Sequence, residues 1–128
     1  MIFVDSNVFI YAVGRSHPLK TEAQNFFIES GKKGKRLVTS AEVLQELLHV
    51  YLPVDRMATL DAAIALATQG IDHVISIDSA AVLHARNLID NFPGLTARDL
   101  LHLSVCQLHN IKDLKTFDRN LLAAFRRG

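Results

Sequence analysis

Asp5, Glu46, Asp99 and Asp118 each stand where a strand-type run ends or a helix-type run begins. Acids at such junctions can converge in space even when the chain separates them widely. Carboxylate oxygens gathered in this way suit a hard divalent cation, Mg²⁺ or Mn²⁺. A cation held there polarises a phosphate oxygen and activates a water molecule, so the expected chemistry is metal-assisted hydrolysis of a phosphodiester.

The four acids differ in their local setting. Asp5 follows the apolar run Ile2-Phe3-Val4 directly, at the carboxyl end of a strand, where open α/β sheets bind their ligands. The same position equally suits a helix N-cap. Glu46 competes with Glu42, one helical turn earlier. At about 100° per residue, Val43, Leu44, Leu47, Val50 and Tyr51 define the buried arc of this helix, with Glu46 at its border. Glu42 lies further round towards solvent, in the first turn, where it favours the helix dipole. A carboxylate at a buried edge needs a partner and an exposed one does not, which selects Glu46.

Asp99 closes Thr96-Ala97-Arg98-Asp99, which resembles a capping box with Asp in place of Glu. Residues 100–108 are apolar nearly all round, so an acid heading this buried helix reads equally as facing a cation. Asp118 reads as the N-cap of a last helix or as a ligand. Asp78 carries the same signature, a strand followed by Asp and a helix, and local sequence does not separate the two.

The elements that must position these acids alternate along the chain. Short β-type runs are predicted at residues 2–4, 37–39, 73–77 and 114–117. Between them, Pro18 opens a helix with Leu19, Ala23, Phe26, Phe27 and Ser30 on its inner stripe, and Ser40 caps a helix ending near Pro53. Asp55 is expected to cap an alanine-rich helix that stops at Gly70, and Asp78 a helix ending before Pro93. Thr96 starts a helix reaching about Asn110, and Asp118 opens the last one. Strands alternating with helices predict an α/β fold with a parallel sheet covered on both faces.

Composition narrows the class. The 128 residues fit a single domain with its own core, 49% are hydrophobic and 21% charged, and a folded, water-soluble chain is expected. No apolar run approaches the roughly 18 residues that cross a bilayer. Met1-Ile2-Phe3-Val4-Asp5 lacks the basic region of a signal peptide. Cys106, the single cysteine, lies in an apolar helical stretch and reads as a buried free thiol, so the expected location is cytoplasmic.

Net charge is +1, but with the four acids set aside 14 basic side chains face nine acidic ones, a balance of +5. A mildly basic surface around a cation-filled acidic pocket is compatible with a polyanion. The basic loop at residues 31–36 is expected to be a solvated turn, and the alanine-rich stretch at 57–67 ordinary core.

Three rival chemistries fail on the placement or type of their residues. Glu46 with His49, and Asp99 with His102, have the i, i+3 spacing of di-iron carboxylate bundles. His49 falls opposite the apolar arc, and four β-type runs contradict a helical bundle; the six histidines are therefore expected at the surface or in the core, without a shared site. A haloacid-dehalogenase-type phosphatase needs a second Asp where Asn7 stands. A receiver domain needs an acidic pair where Ser6 and Asn7 follow the first strand.

The motifs taken together resemble the PIN-domain ribonucleases, and the small VapC-type toxins in particular. Val4-Asp5-Ser6-Asn7-Val8-Phe9-Ile10 resembles the first motif, and Ser40 followed by Glu46, Leu47 and Val50 the second. Arg98-Asp99-Leu100-Leu101-His102-Leu103 resembles the third, and Thr116-Phe117-Asp118-Arg119-Asn120 the fourth. Each motif alone is weak; four in order across the whole chain are specific. Leu121 stands where the family commonly has phenylalanine, and a further acid found in some members near the third motif has no counterpart beside Thr96 and Arg98.

The resemblance implies a three-layer α/β/α fold with a central parallel sheet of four or five short strands. The first strand is central between the second and fourth, and the third lies beyond the second. Asp78 is then a helix cap away from the pocket, and Asp118 a site residue. It further implies that Asp5, Glu46, Asp99 and Asp118 bind one or two Mg²⁺ or Mn²⁺ ions and cleave RNA, leaving a 5′-phosphate and a 3′-hydroxyl. Asn7 and Thr116 would hold the carboxylates in place. The implied partners are RNA, a cognate antitoxin and a second copy of the chain in a homodimer. The alternatives within the fold are a PIN nuclease of RNA processing that is not a toxin, and an inactive PIN fold that binds RNA or protein.

Overall fold

The computed structural model describes residues 1–128. Strands β1 (Ile2–Val4), β2 (Leu37–Ser40), β3 (His73–Ile75) and β4 (Asp113–Lys115) form one sheet in the order β3-β2-β1-β4. All pairings are parallel: Phe3 lies opposite Val38 and Leu114, and Thr39 opposite Val74. β1 is central, as the resemblance implied. Successive strand residues face opposite ways, and Phe3 and Val4 are both fully buried, so β1 is covered on both faces.

The covering layers are α1 (Ser6–Val13), α2 (Pro18–Lys32), α3 (Ala41–Tyr51), α4 (Met57–Gln69), α5 (Ser79–Leu88), α6 (Ala97–Leu108) and α7 (Arg119–Arg127). α1 packs against α2, α3 and α4, while α5, α6 and α7 form a second group. Phe3, Val8, Phe9, Val38, Val43 and Leu47 fill the main core, and each such side chain stabilises by roughly 1.5–3 kcal/mol on burial. A smaller cluster of Leu88, Phe92, Leu100 and Leu103 joins α5 to α6. No helix is long and apolar enough to cross a membrane.

Helix starts follow sequence signals closely. Pro18 occupies the first turn of α2, with the His17 ring accepting from the Leu19 amide at 3.0 Å. Ser40 caps α3, and Asp78 caps α5 by accepting from the Ala81 amide at 3.0 Å.

Several boundaries depart from expectation. β3 stops at Ile75 rather than residue 77, because its partner β2 ends at Ser40 and turns into α3. β4 stops at Lys115 rather than residue 117, because β1 turns into α1 after Val4. Asp55 does not cap α4. Instead a 3-10 turn, Leu52–Val54, closes on Asp55 in the left-handed region (φ 54°), and α4 starts after Arg56 with no side-chain cap. Pro53 diverts the chain into this tighter turn, and Asp tolerates the left-handed conformation better than most residues. α6 ends at Leu108, which is exposed rather than buried, and Asn110 follows with φ 55°.

Candidate active site

Two sheet-end loops place the central acid. The Asp5 amide still donates to the Lys115 carbonyl at 3.0 Å, so Asp5 is held to β4 although β1 has ended. Its carboxylate then turns into the first turn of α1, where Oδ1 accepts from the Ser6 amide at 2.7 Å. Oδ2 accepts from the Thr116 hydroxyl at 2.7 Å and the Asn7 amide at 3.3 Å. Asn7 also donates to Thr116 at 3.2 Å and accepts from the Phe117 amide at 3.2 Å, tying the loop after β1 to the loop after β4. Asp5 is therefore both an N-cap and a fixed, buried carboxylate, 4% exposed. A carboxylate offers about four lone-pair directions, so these bonds leave capacity for a cation.

Asp5, Glu46, Asp99 and Asp118 line one cavity of about 210 Å³, together with Ser6, Asn7, Val50, Thr96 and Arg98. Asp118 caps α7 through Oδ1, which accepts from the Asn120 and Leu121 amides at 2.9 and 3.2 Å. The capping and cavity-lining readings of Asp118 hold together, because one oxygen suffices for the cap. At Asp99 the Thr96 hydroxyl accepts from the backbone amide at 3.2 Å, half of a capping box, while the side chain lines the cavity. Asp78 lies outside this cavity.

Glu46 lies in the middle of α3 rather than at a junction of elements, and it is 6% exposed. Its Oε2 accepts from the Ser6 hydroxyl at 2.5 Å, and Oε1 is 2.6 Å from Nε2 of His102. Val50 was expected in the buried arc of α3 but is 39% exposed and lines the cavity. The reason is helical geometry: Val43, Leu47 and Tyr51 form one buried row at i, i+4 spacing, and Val50 belongs to the neighbouring row with Glu46. Glu42 starts that same row and is half-buried, further in than expected, though not among the cavity-lining residues.

His102 was expected to share no site, and here the structure differs. It is 2% exposed, with Nε2 against Glu46 and 3.5 Å from Oδ1 of Asp5. One oxygen each from Asp5 and Glu46 and a ring nitrogen of His102 lie within 4.8 Å of one another. Asp99 and Asp118 stand outside that tight grouping. The signal that identifies His102 is a polar side chain on a helix apolar nearly all round, one turn after an acid, which must find a polar partner. His49 is exposed, as expected.

The charges interact strongly. Burial opposes ionisation of Glu46, but hydrogen bonds from His102 and Ser6 and the charges of His102 and Arg98 outweigh it and hold the carboxyl below its ordinary range. Burial likewise opposes a charged His102, yet the Glu46 hydrogen bond and the charges of Asp5, Glu46 and Asp99 raise its pKa. Burial pushes Asp99 up, and the charges of Asp118 and Asp5 push it further. A group of acids that repel one another in this way is suited to an added cation. The donor set of four carboxylates fits a hard ion bound through oxygen.

Comparison with known proteins gives a family and relatives for this chain. The family described as "PIN domain" matches residues 2–127. Ribonuclease VapC23 of Mycobacterium tuberculosis (strain H37Rv) is 52% identical over 126 residues, covering 98% of this chain and 99% of the relative. Ribonuclease VapC13 of the same strain is 42% identical over 119 residues, covering 93% and 91%. The crystal structure of M. tuberculosis VapC20, described as a sarcin-ricin-loop-cleaving toxin, shares the fold with a TM-score of 0.82. It is 18% identical in sequence and covers 97% of this chain and 95% of that one. The match to the family runs through both sheet-end loops and all four acid-bearing segments, and the chain belongs to the PIN-domain family, among its VapC-type ribonucleases.

Proposed function

We propose that this chain is a Mg²⁺- or Mn²⁺-dependent endoribonuclease and the toxin of a toxin–antitoxin pair. The observation that carries the reading is the meeting of Asp5, Glu46, Asp99 and Asp118, from four separate segments, around one cavity at the carboxyl end of the central strand. The ribonuclease names of its relatives support the reaction class.

Asp5, Asp99 and Asp118 would hold the cation, directly or through water, and Glu46 would either join them or orient the attacking water. When bound, the ion supplies Lewis acidity towards the phosphate and lowers the pKa of a water molecule. Asn7, Ser6 and Thr116 keep the carboxylates from swinging away. Arg98, the one cationic side chain lining the cavity, is placed to meet a backbone phosphate. The remaining balance of +5 keeps the surroundings attractive to RNA once the acids are neutralised.

The partners are RNA, a cognate antitoxin that covers the acidic cavity, and a second copy of the chain in a homodimer; the setting is the cytoplasm. The deciding experiment is RNA cleavage with Mn²⁺, with EDTA, and with Asp5→Asn. Cleavage should require the metal and the Asp5 carboxylate. Activity that survives either the chelator or the substitution would overturn the metal-site reading. The toxin role is tested by growth arrest on expression, relieved by the small protein encoded beside it.

A further inference from the structure

We infer that His102 is a positioning residue whose ring clamps Glu46 against Asp5, setting the geometry in which the cavity accepts a divalent cation. The inference rests on the reading of Glu46 as a site carboxylate.

Glu46 has both oxygens engaged, by His102 at 2.6 Å on one and Ser6 at 2.5 Å on the other. A glutamate side chain has many accessible rotamers, so two short bonds are what hold it in one orientation. Ser6 reaches Glu46 from the first turn of α1, and His102 reaches it from α6. Three helices therefore meet at one carboxylate. His102 in turn is fixed by burial and by the Phe3 ring, with centroids 5.6 Å apart.

The other ring nitrogen, Nδ1, is buried with no hydrogen-bond partner. A histidine kept only for packing would be expected to satisfy both nitrogens or to be an apolar residue. Leaving a buried nitrogen unsatisfied is unfavourable, which is consistent with the ring being retained for what Nε2 does. His102 also lies one turn after Asp99 on the same face of α6, so the helix that carries one acid aligns another. Side chains that orient metal ligands typically govern affinity by about 10–100-fold.

The test uses the full chain and three variants, His102→Leu, His102→Gln and His102→Asn. Mn²⁺ binding is measured by calorimetry without RNA, alongside kcat and KM for RNA cleavage and thermal melting. Glutamine carries its amide nitrogen about where Nε2 lies, whereas asparagine stops about where Nδ1 lies. The expected result is a roughly 10–100-fold loss of Mn²⁺ affinity for Leu and Asn, with kcat reduced and KM for RNA little changed, and with most of the loss restored by Gln.

Wild-type affinity in the Leu and Asn variants overturns the inference. So does an equal loss in all three that follows their melting temperatures, because that is a packing effect. If Leu does not fold, the Gln–Asn contrast carries the test. A wild-type chain that binds no Mn²⁺ instead overturns the site reading itself, so the two failures are distinguishable.

Discussion

The Thr116 hydroxyl donates to Oδ2 of Asp5 at 2.7 Å, linking residues 111 apart in sequence across the carboxyl ends of β1 and β4. Thr116 also accepts from the Asp118 amide at 3.0 Å, so one hydroxyl aligns two of the four acids. Thr116→Val should therefore weaken Mn²⁺ binding by about 10–100-fold, while Thr116→Ser stays near wild type. Calorimetric titration of both variants checks this. Equal affinity in Val and wild type would show that the hydroxyl only satisfies the loop.

Asp118 serves as a cap through one oxygen and lines the cavity as well, and the two contributions separate by substitution. Asn caps a helix about as well as Asp. Asp118→Asn should keep its melting temperature and lose most of its RNA cleavage. Asp118→Ala should also lose about 1 kcal/mol of stability. Asp78→Ala provides the control: its cap on α5 costs about 1 kcal/mol and cleavage is unchanged. Full activity in Asp118→Asn removes it from the site.

Stability of the metal-free chain should peak in mildly acidic solution. His102 and Asp99 have pKa values raised by the fold, and Glu46 has one lowered. A raised pKa contributes fully below its unfolded value and is lost as pH rises through the folded one. The Asp99 contribution should therefore be lost as pH rises above 3.8, and that of His102 as pH rises beyond the ordinary histidine value of 6.5. A lowered carboxyl contributes above its unfolded value of 4.5 and is lost as pH falls through the folded one, which sets the acid limb. Saturating Mn²⁺ should flatten or reverse the alkaline decline, since the ion binds ionised carboxylates. Melting curves across this range with EDTA and with Mn²⁺ decide it; identical profiles contradict the prediction.

Cys106 should be inert in the native protein. Burial, with a contribution from the Asp5 charge, pushes its thiol up to about 12. The thiolate is the reactive form. Labelling by a disulfide reagent at mildly alkaline pH should proceed only as the chain unfolds, with the same denaturant midpoint as circular dichroism. Rapid labelling under native conditions would place Cys106 at the surface.

Local signals read correctly wherever the residue's own neighbours decide the outcome. Pro18, Ser40, Asp78 and Thr96 all lie at the helix starts where they were expected, because capping is a matter of three or four adjacent residues. The sheet order was legible only through the joint pattern of four motifs. Strand ends were overextended at residues 77 and 117, since a strand stops where its partner does, and that partner lies far away in the chain.

What the sequence determined by itself is therefore the alternation of elements, three acids at element junctions, and the place of Glu46, rather than Glu42, at the border of a buried helix face. Each of these follows from hydrophobic period and local chemistry. The tertiary structure alone decided that Val50 faces the acids and that His102 meets Glu46 and Asp5. Those outcomes depend on which buried polar groups come within hydrogen-bond reach when β1, α3 and α6 pack together. No period along the chain records that distance.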